Sequence, residues 1–221
     1  MVSVIITAYR SQDFIEACLD SVAKQMYGEI LLGIDDCQET LDKVMGIRDR
    51  YGNLRILMMK ENYGTYIVSN TLVDNAKGDY ILRFDSDDVM KTDMIKILVG
   101  RNSDIVVMRY RVFGGKKVKN PTRFSFGQAL FKKKVFDACG GYAPWRCAAD
   151  KELLNRAALK FKIEKIDQKL FYKRMHPRAL TKAAATGKGS APRREAHRKL
   201  RELSDKGIIK IERITGEYKE L

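Results

Sequence analysis

Residues 79–88 read Asp79-Tyr80-Ile81-Leu82-Arg83-Phe84-Asp85-Ser86-Asp87-Asp88, an apolar run that ends in three carboxylates within four positions. The apolar and aromatic side chains predict a buried strand over Asp79–Phe84. The adjacent like charges repel one another, at a cost in free energy that has to be offset. The stretch therefore predicts either a solvated acidic turn with a helix cap, or an oxygen-ligand site for Mg²⁺ or Mn²⁺ at the end of a strand.

Strands and helices alternate on both sides of this stretch. Further strands are predicted at Val2–Ala8, Glu29–Ile34, Leu54–Met59 and Ile105–Arg109. Helices are predicted after Ser11, which can act as a cap, and over Thr40–Tyr51, Tyr66–Ala76 and Lys91–Leu98. Strands separated by helices of this length indicate βαβ units, so we expect an α/β fold with a mainly parallel sheet.

The alternation is less regular after Tyr110. Gly114-Gly115 predicts a hairpin between Arg111–Phe113 and Lys116–Lys119. Further strands are predicted at Phe126–Phe131 and Lys169–Arg174, and helices at Lys133–Ala138, Lys151–Leu159 and Arg193–Lys206. Thr181–Pro192, rich in Ala, Gly, Lys and Ser, is typical of a linker or mobile loop.

The charge of the chain is unevenly distributed. Its formal net charge is +14, yet residues 1–90 hold 9 basic and 15 acidic side chains, whereas residues 91–221 hold 33 and 13. The acidic part could bind cations, while the basic part could face an anionic partner or serve only solubility. Four cysteines without C-x-x-C spacing and two histidines argue against a disulfide or zinc scaffold.

The apolar runs are too short to span a bilayer, and the first residues lack a signal-peptide pattern. We therefore expect a cytoplasmic protein without a transmembrane segment, and peripheral attachment to an anionic membrane surface stays open.

Polar residues follow several of the predicted strands. Asp35-Asp36 follows the second strand and Asn62-Tyr63-Gly64 the third, where ligands bind in parallel α/β sheets. Either pair of positions could equally be plain loop. A G-x-G-x-x-G or Walker A sequence is absent, which argues against a dinucleotide enzyme and a P-loop NTPase.

Several of these motifs, taken in order, resemble the family 2 glycosyltransferases of GT-A fold. The matching stretches are Val2–Tyr9, Ile34-Asp35-Asp36, Asn62-Tyr63-Gly64, Asn70, Ala76–Ile81 and Asp85-Ser86-Asp87-Asp88. The resemblance covers residues 2–100 well and continues more weakly through Phe136–Leu159. It implies a nucleotide-sugar-binding half over residues 1–100, an acceptor-binding half over 101–180 and a basic extension over 181–221.

The resemblance also implies roles for individual residues. The positions that would contact the nucleotide-sugar are Thr7, Ala8, Tyr9, Asp35, Asn62, Gly64, Asn70, Asp85 and Ser86. Asp87 and Asp85 would hold Mn²⁺ or Mg²⁺, and His176 matches a position that in some relatives reaches the metal, although it can also be an ordinary histidine. Asp150 matches the catalytic base, with Glu152 as its competitor.

The implied activity is a metal-dependent, inverting transfer of a sugar, from a donor that is usually UDP-linked to a hydroxyl acceptor. A basic second half would suit an anionic acceptor, either a surface glycan, a lipid-linked saccharide or hydroxylated bases in DNA. Two alternatives stay open at this point: a nucleotidyltransferase on a related scaffold and a non-enzymatic nucleic-acid-binding protein.

Overall fold

The computed structural model describes residues 1–114 and 123–221, within which nine strands form one mixed sheet. The strands are β1 (Val2–Ala8), β2 (Glu29–Ile34), β3 (Leu54–Met59), β4 (Tyr80–Asp85), β5 (Val89–Met90), β6 (Ile105–Phe113), β7 (Phe124–Lys132), β8 (Ile163–Arg174) and β9 (Tyr218–Glu220). The helices are α1 (Ile15–Ala23), α2 (Gln38–Met45), α3 (Thr65–Asn75), α4 (Met94–Val99), α5 (Lys133–Cys139), α6 (Ala149–Ala157) and α7 (Ala191–Asp205). The predicted α/β class is confirmed.

Helices cover both faces of the sheet because successive side chains of a strand point to opposite sides. Val4 and Ile6 belong to one core with α1, α2 and α4, whereas Ile5 belongs to the other core with α3, α5 and α6. All seven residues of β1 are buried, as expected for a strand at the centre of a two-sided sheet.

The first half of the sheet is parallel, in the order β4-β1-β2-β3. Thr7 pairs with Asp85 and Ala8 with Ile34 in this register, so β1, β2 and β4 end at the same edge. The polar residues that follow these strands are thereby brought together.

The second half adds strands of mixed direction. β7 runs antiparallel to β4, and β8 runs parallel to β6. The short β5, directly after the acidic turn, pairs Val89 with Tyr172 of β8. This pairing places the end of β8, and the residues that follow it, against the acidic turn.

Some local predictions were wrong. The predicted helix Lys91–Leu98 starts only at Met94, after β5. Ser11 does not cap α1, which begins at Ile15; its hydroxyl instead donates to the carbonyl of Tyr9 and shares a hydrogen bond with the Ser86 hydroxyl. The first arm of the predicted hairpin continues β6, and Lys116–Lys119 lies outside the described residues.

The chain after α7 returns across the domain. The amide of Ile211 donates to the Cys139 carbonyl, and the amide of Gly216 donates to the Thr71 hydroxyl. β9 then pairs antiparallel with β3 and forms an edge of the sheet. The division of the chain at residues 100 and 180 stays a prediction, but one sheet runs through the described parts of all three segments.

Arg156 joins this returning segment to the second core. Its side chain is 2% exposed and forms an ion pair with Glu152, which is 1% exposed. The guanidinium also donates to the carbonyls of Gly141 (2.7 Å), Ile209 (3.0 Å) and Cys139. One side chain therefore holds α5, α6 and the segment after α7 together.

Within the part of the chain that is described, no helix combines the length and apolarity needed to cross a membrane.

Replacing Arg156 with Ala is expected to lower the free energy of unfolding by roughly 3 to 5 kcal/mol, because Glu152 would remain as an unpaired buried charge. Urea denaturation followed by circular dichroism measures this. Arg198→Ala is the matched control: that arginine is exposed and pairs with Glu195 and Glu202 at the surface, where solvent screens the charges, so its loss should cost far less than the loss of Arg156. Equal losses of unfolding free energy in the two variants would contradict the stabilising role of Arg156.

Candidate functional site

A cavity of about 990 Å³ opens at the edge where β1, β2 and β4 end. It lies in the range typical of small-molecule sites. It is lined by eleven of the thirteen candidate site residues that the sequence predicted: Thr7, Ala8, Tyr9, Asp35, Asn62, Gly64, Asp85, Ser86, Asp87, Asp150 and His176. The fold thus brings together residues that are spread over about 170 positions of the sequence.

Asn70 is one of the two predicted site residues, with Glu152, that do not line the cavity. It is fully buried, and its amide group donates to the carbonyls of Tyr142 (2.9 Å) and Ile214 (3.0 Å) while accepting from the Tyr142 amide (2.9 Å). Asn70 therefore ties α3 to Tyr142 and to the returning chain.

The acidic turn brings three carboxylates together. Asp85, Asp87 and Asp88 each offer an oxygen, and these atoms all lie within 4.8 Å of one another. Asp85 and Asp87 line the cavity and are partly exposed, whereas Asp88 is fully buried behind them. The two outer carboxylates are thus the ones accessible to a ligand.

Asp88 holds the turn in place from behind. One of its oxygens accepts a hydrogen bond from the backbone amide of Arg174 (2.7 Å), and the other accepts from the side chain of Gln128. Burial raises the pKa of Asp88 well above its usual value, and Asp87 and Asp85 add to the rise, while Lys173 opposes it. Asp88 therefore joins the turn to β7 and β8 and does not cap a helix.

The buried Arg83 and the half-buried Lys173 stabilise the ionised form of Asp85. Arg83 lies 2.9 Å from one oxygen of Asp85, and the ammonium of Lys173 lies 3.6 Å from the other. Burial alone would raise the pKa of Asp85, but the charges of Arg83 and Lys173 outweigh it, so the pKa lies below its usual value. The Lys173 ammonium also lies 3.8 Å from an oxygen of Asp88, so the carboxylates of the turn already attract one cation. The donor set fits a hard divalent cation.

His176 contacts the outermost carboxylate. Its Nε2 lies 2.8 Å from Asp87 Oδ2, and its ring packs against Phe14 with the ring centroids 4.7 Å apart. Its Nδ1 is buried without a hydrogen-bond partner among the described residues. An imidazole and a carboxylate that meet at a cavity wall can serve together as metal ligands.

A loop after β3 forms another wall of the cavity, and Asp35 shapes it. The two oxygens of the Asp35 carboxylate accept from the backbone amides of Tyr63 (2.8 Å) and Gly64 (2.9 Å). Gly64 has φ +89°, which favours glycine. Burial raises the pKa of Asp35, although both amide hydrogen bonds act in the opposite direction. Each oxygen retains a second lone pair for a ligand.

Asp150 lies in the first turn of α6 on another wall. The hydroxyl of Tyr66 donates to its Oδ1 at 3.1 Å. Gly127 separates Asp150 from Asp85: a Cβ placed there would lie 3.4 Å from Asp150 Oδ2 and 4.0 Å from Asp85 Oδ2. Glu152 does not reach the cavity, because it is buried against Arg156.

Basic residues at the end of β8 and just beyond it differ in whether they reach the cavity. Arg174 and Arg178 line the cavity, and Arg178 forms an ion pair with Asp13. Lys182 is not among the lining residues. The sequence did not predict Lys173, Gln128, Tyr66 and Arg146, whose partners lie 40 to 88 positions away along the chain. The spacing of neighbouring residues in the sequence gives no signal for contacts between such distant positions.

The chain belongs to glycosyl transferase family 2, since residues 3–154 match the sequence profile of that family. The resemblance predicted from the motifs is thereby confirmed.

Relatives are found among bacterial glycan enzymes. Chondroitin synthase of Pasteurella multocida strain Pm70 is 35% identical over 100 residues, covering 44% of this chain and 10% of that protein. TarS of Staphylococcus aureus strain Mu50, a poly(ribitol-phosphate) beta-N-acetylglucosaminyltransferase, is 27% identical over 142 residues, covering 59% of this chain and 23% of TarS. The chain therefore spans only a small part of the length of these relatives.

Solved structures share the fold. Residues 1–349 of S. aureus TarS in complex with UDP-GlcNAc superpose with a TM-score of 0.68 at 20% identity, covering 79% of this chain and 58% of that one. The mannosyltransferase PcManGT from Pyrobaculum calidifontis, in complex with GDP-Man and Mn²⁺, gives a TM-score of 0.68 at 17% identity and covers 94% of this chain and 71% of that one.

Asp35→Asn is expected to lower the free energy of unfolding by about 1 to 3 kcal/mol, because an amide NH₂ would face a backbone N–H of the Tyr63-Gly64 loop and leave it unsatisfied. Thermal and urea denaturation measure the change. Asp36→Asn is the matched control, since Asp36 is exposed and has φ +51°, a conformation that Asn tolerates well. A loss in the control as large as in Asp35→Asn would rule out the loop contact as the cause.

Proposed function

We propose that this protein is a glycosyltransferase that uses a nucleotide-sugar, with UDP as its nucleotide, and a divalent cation to glycosylate a hydroxyl of an acceptor. The observation that carries the proposal is the juxtaposition of Asp85 and Asp87 with Asp150 across Gly127 in one cavity. Glycosyl transfer needs a cation that neutralises the leaving diphosphate and a base that removes the proton of the acceptor hydroxyl. Cation-binding carboxylates beside a separate carboxylate can supply these two functions. Membership of family 2 and a neighbour solved with UDP-GlcNAc support the same assignment.

The donor would lie along the edge of the parallel strands. Thr7, Ala8 and Tyr9 would line the nucleoside pocket, and Asn62 and Gly64 would contact it through the loop that Asp35 holds. Asp35 would accept a hydrogen bond from the base through its remaining lone pairs. Ser86, fixed by its hydrogen bond to Ser11, and Asp85 would lie on the ribose and diphosphate side.

The cation would be Mn²⁺ or Mg²⁺, held by Asp87, Asp85 and His176. An imidazole ligand favours Mn²⁺, because Mg²⁺ prefers oxygen ligands alone. When bound, the cation supplies charge neutralisation for the diphosphate leaving group. A neighbouring fold solved with GDP-Man and Mn²⁺ supports this part of the proposal.

Asp150 would act as the general base. Its carboxylate would take the proton of the acceptor hydroxyl while the hydroxyl oxygen forms a bond to the anomeric carbon of the sugar. The bond between that carbon and the diphosphate oxygen breaks in the same step, so the nucleoside diphosphate leaves with the electron pair. Attack opposite to the leaving group inverts the anomeric centre. Tyr66 orients the base through its hydrogen bond to Oδ1.

Asp87→Ala is expected to weaken Mn²⁺-dependent binding of UDP by at least about tenfold, because a charged ligand of the cation is removed. Calorimetric titration of UDP with and without Mn²⁺ measures this. The control is Asp49→Ala, at an exposed aspartate away from the cavity. No binding of UDP by the unmodified protein, or unchanged binding in Asp87→Ala, would refute the metal role.

Asp150→Asn is expected to lower kcat for sugar release from UDP-GlcNAc by about 10²- to 10⁴-fold, the range typical of general bases. UDP affinity should stay within about twofold, because the residue contacts the acceptor side only. Release of UDP in a coupled assay and the calorimetric titration give the two values. Full activity of this variant would exclude Asp150 as the base.

A further inference from the structure

One wall of the cavity is built from a segment that the sequence predicted to be a linker. Thr181, Ala183, Ala185, Thr186 and Pro192 line the cavity, and Thr186 is largely buried. The segment leads directly into α7, whose second residue is Pro192. The basic part of the chain therefore reaches the cavity itself and does not only surround it.

Packing fixes where α7 meets this wall. Ala196 on α7 is buried against Cys147 and Ala148, which directly precede α6 and its Asp150. Arg193 is three residues before Ala196, and residues at this spacing share one face of a helix. Arg193 lies on the cavity wall as well, so its position is beside the start of α6.

The pKa of the Cys147 thiol is affected by charges of both α7 and α6. Burial raises the pKa of its thiol, the positive charge of Arg193 opposes the rise, and the negative charge of Asp150 adds to it. Arg193 and Asp150 thus both lie close to one buried thiol, on the acceptor side of the cavity.

The guanidinium of Arg193 has unused donors. Its Nε donates to the Thr186 carbonyl at 2.8 Å, which fixes the side chain, but its terminal nitrogens have no hydrogen-bond partner among the described residues. Its neighbours differ: Arg178 is paired with Asp13, and Arg198 with Glu195 and Glu202. Arg193 is half-buried and forms no ion pair within residues 1–114 and 123–221, and such a cation next to a cavity is a binding group for an anionic ligand.

We propose that Arg193 binds an anionic group of the acceptor, a carboxylate or phosphate of an acidic saccharide, and so directs the neighbouring hydroxyl to Asp150. The inference rests on the proposed function. A planar guanidinium suits both anions, because two parallel N–H donors match two anion oxygens. Arg193 would then select acceptors by charge, while Asp150 acts on whichever hydroxyl is brought within reach.

The arrangement of α7 favours a saccharide over duplex DNA. Tight binding to a duplex rests on several cations that each meet a backbone phosphate. Arg198, in the middle of α7, is instead paired with two glutamates, and Lys199 lies 3.7 Å from Glu195. Among the described residues, Arg193 is the α7 arginine that lines the cavity, and its unpaired terminal nitrogens suit a single local anion.

The test measures binding of four probes to the full chain in the presence of saturating UDP and Mn²⁺. The probes are a hyaluronan tetrasaccharide for carboxylates, a glycerol-phosphate tetramer for phosphates, neutral chitotetraose and a 20-base-pair DNA duplex. We expect at least one of the two anionic oligomers to bind more tightly than chitotetraose and DNA. Arg193→Gln should weaken this binding about 10- to 100-fold, the loss expected for hydrogen bonds to a charged group.

Two further variants separate charge, geometry and folding. Arg193→Lys keeps the charge but loses the paired donors, so it should retain an intermediate affinity. Arg201→Gln removes an exposed arginine of α7 that does not line the cavity, and it should bind like the unmodified protein. UDP affinity in Arg193→Gln, together with its thermal midpoint, verifies that the variant is folded.

Several results would overturn the inference: chitotetraose or DNA binding at least as tightly as both anionic oligomers, or equal losses in Arg193→Gln and Arg201→Gln. In these cases UDP and Mn²⁺ still bind, and only the acceptor assignment fails. Absence of UDP binding by the unmodified protein would instead reject the proposed function itself.

Discussion

Repulsion between the carboxylates that follow β4 is the constraint around which this cavity is arranged. The oxygens of Asp85, Asp87 and Asp88 lie within 4.8 Å of one another, which amounts to at least about 3 kcal/mol for each ionised pair at an effective dielectric constant near 20. Arg83 and Lys173 offset this cost from behind, and their charges keep Asp85 ionised. The outer carboxylates thereby keep a negative field directed at the cavity.

The second half of the sheet supplies the partners that hold the acidic turn. β7 supplies Gln128, which donates to Asp85 and Asp88, and β8 supplies Lys173 and the backbone amide of Arg174. The acidic first half and the basic second half therefore do not only bind separate ligands. Part of the positive charge of the second half neutralises the acidic turn of the first.

The chain from α7 to β9 connects two walls of the cavity. Arg193 lies on the wall beside Asp150, and Gly216 lies against the ring of Tyr63, where a Cβ would come within 2.5 Å. Tyr63 belongs to the loop that Asp35 holds through backbone hydrogen bonds. A tightly packed contact of this kind transmits small displacements. The basic end of the chain thus contacts both the loop after β3 and the wall beside Asp150.

The sequence by itself determined the α/β alternation and the location of the acidic turn at a strand end, because both follow from local periodicity and from the rule that parallel strands end at one edge. Only the tertiary structure decided that Asn70 does not line the cavity, that Glu152 is neutralised by Arg156, and that Lys173 and Arg193 reach the site. Each of these outcomes depends on partners or packing that bring distant segments together. Local patterns report which face of an element is buried, but they do not report which distant group will be packed against it.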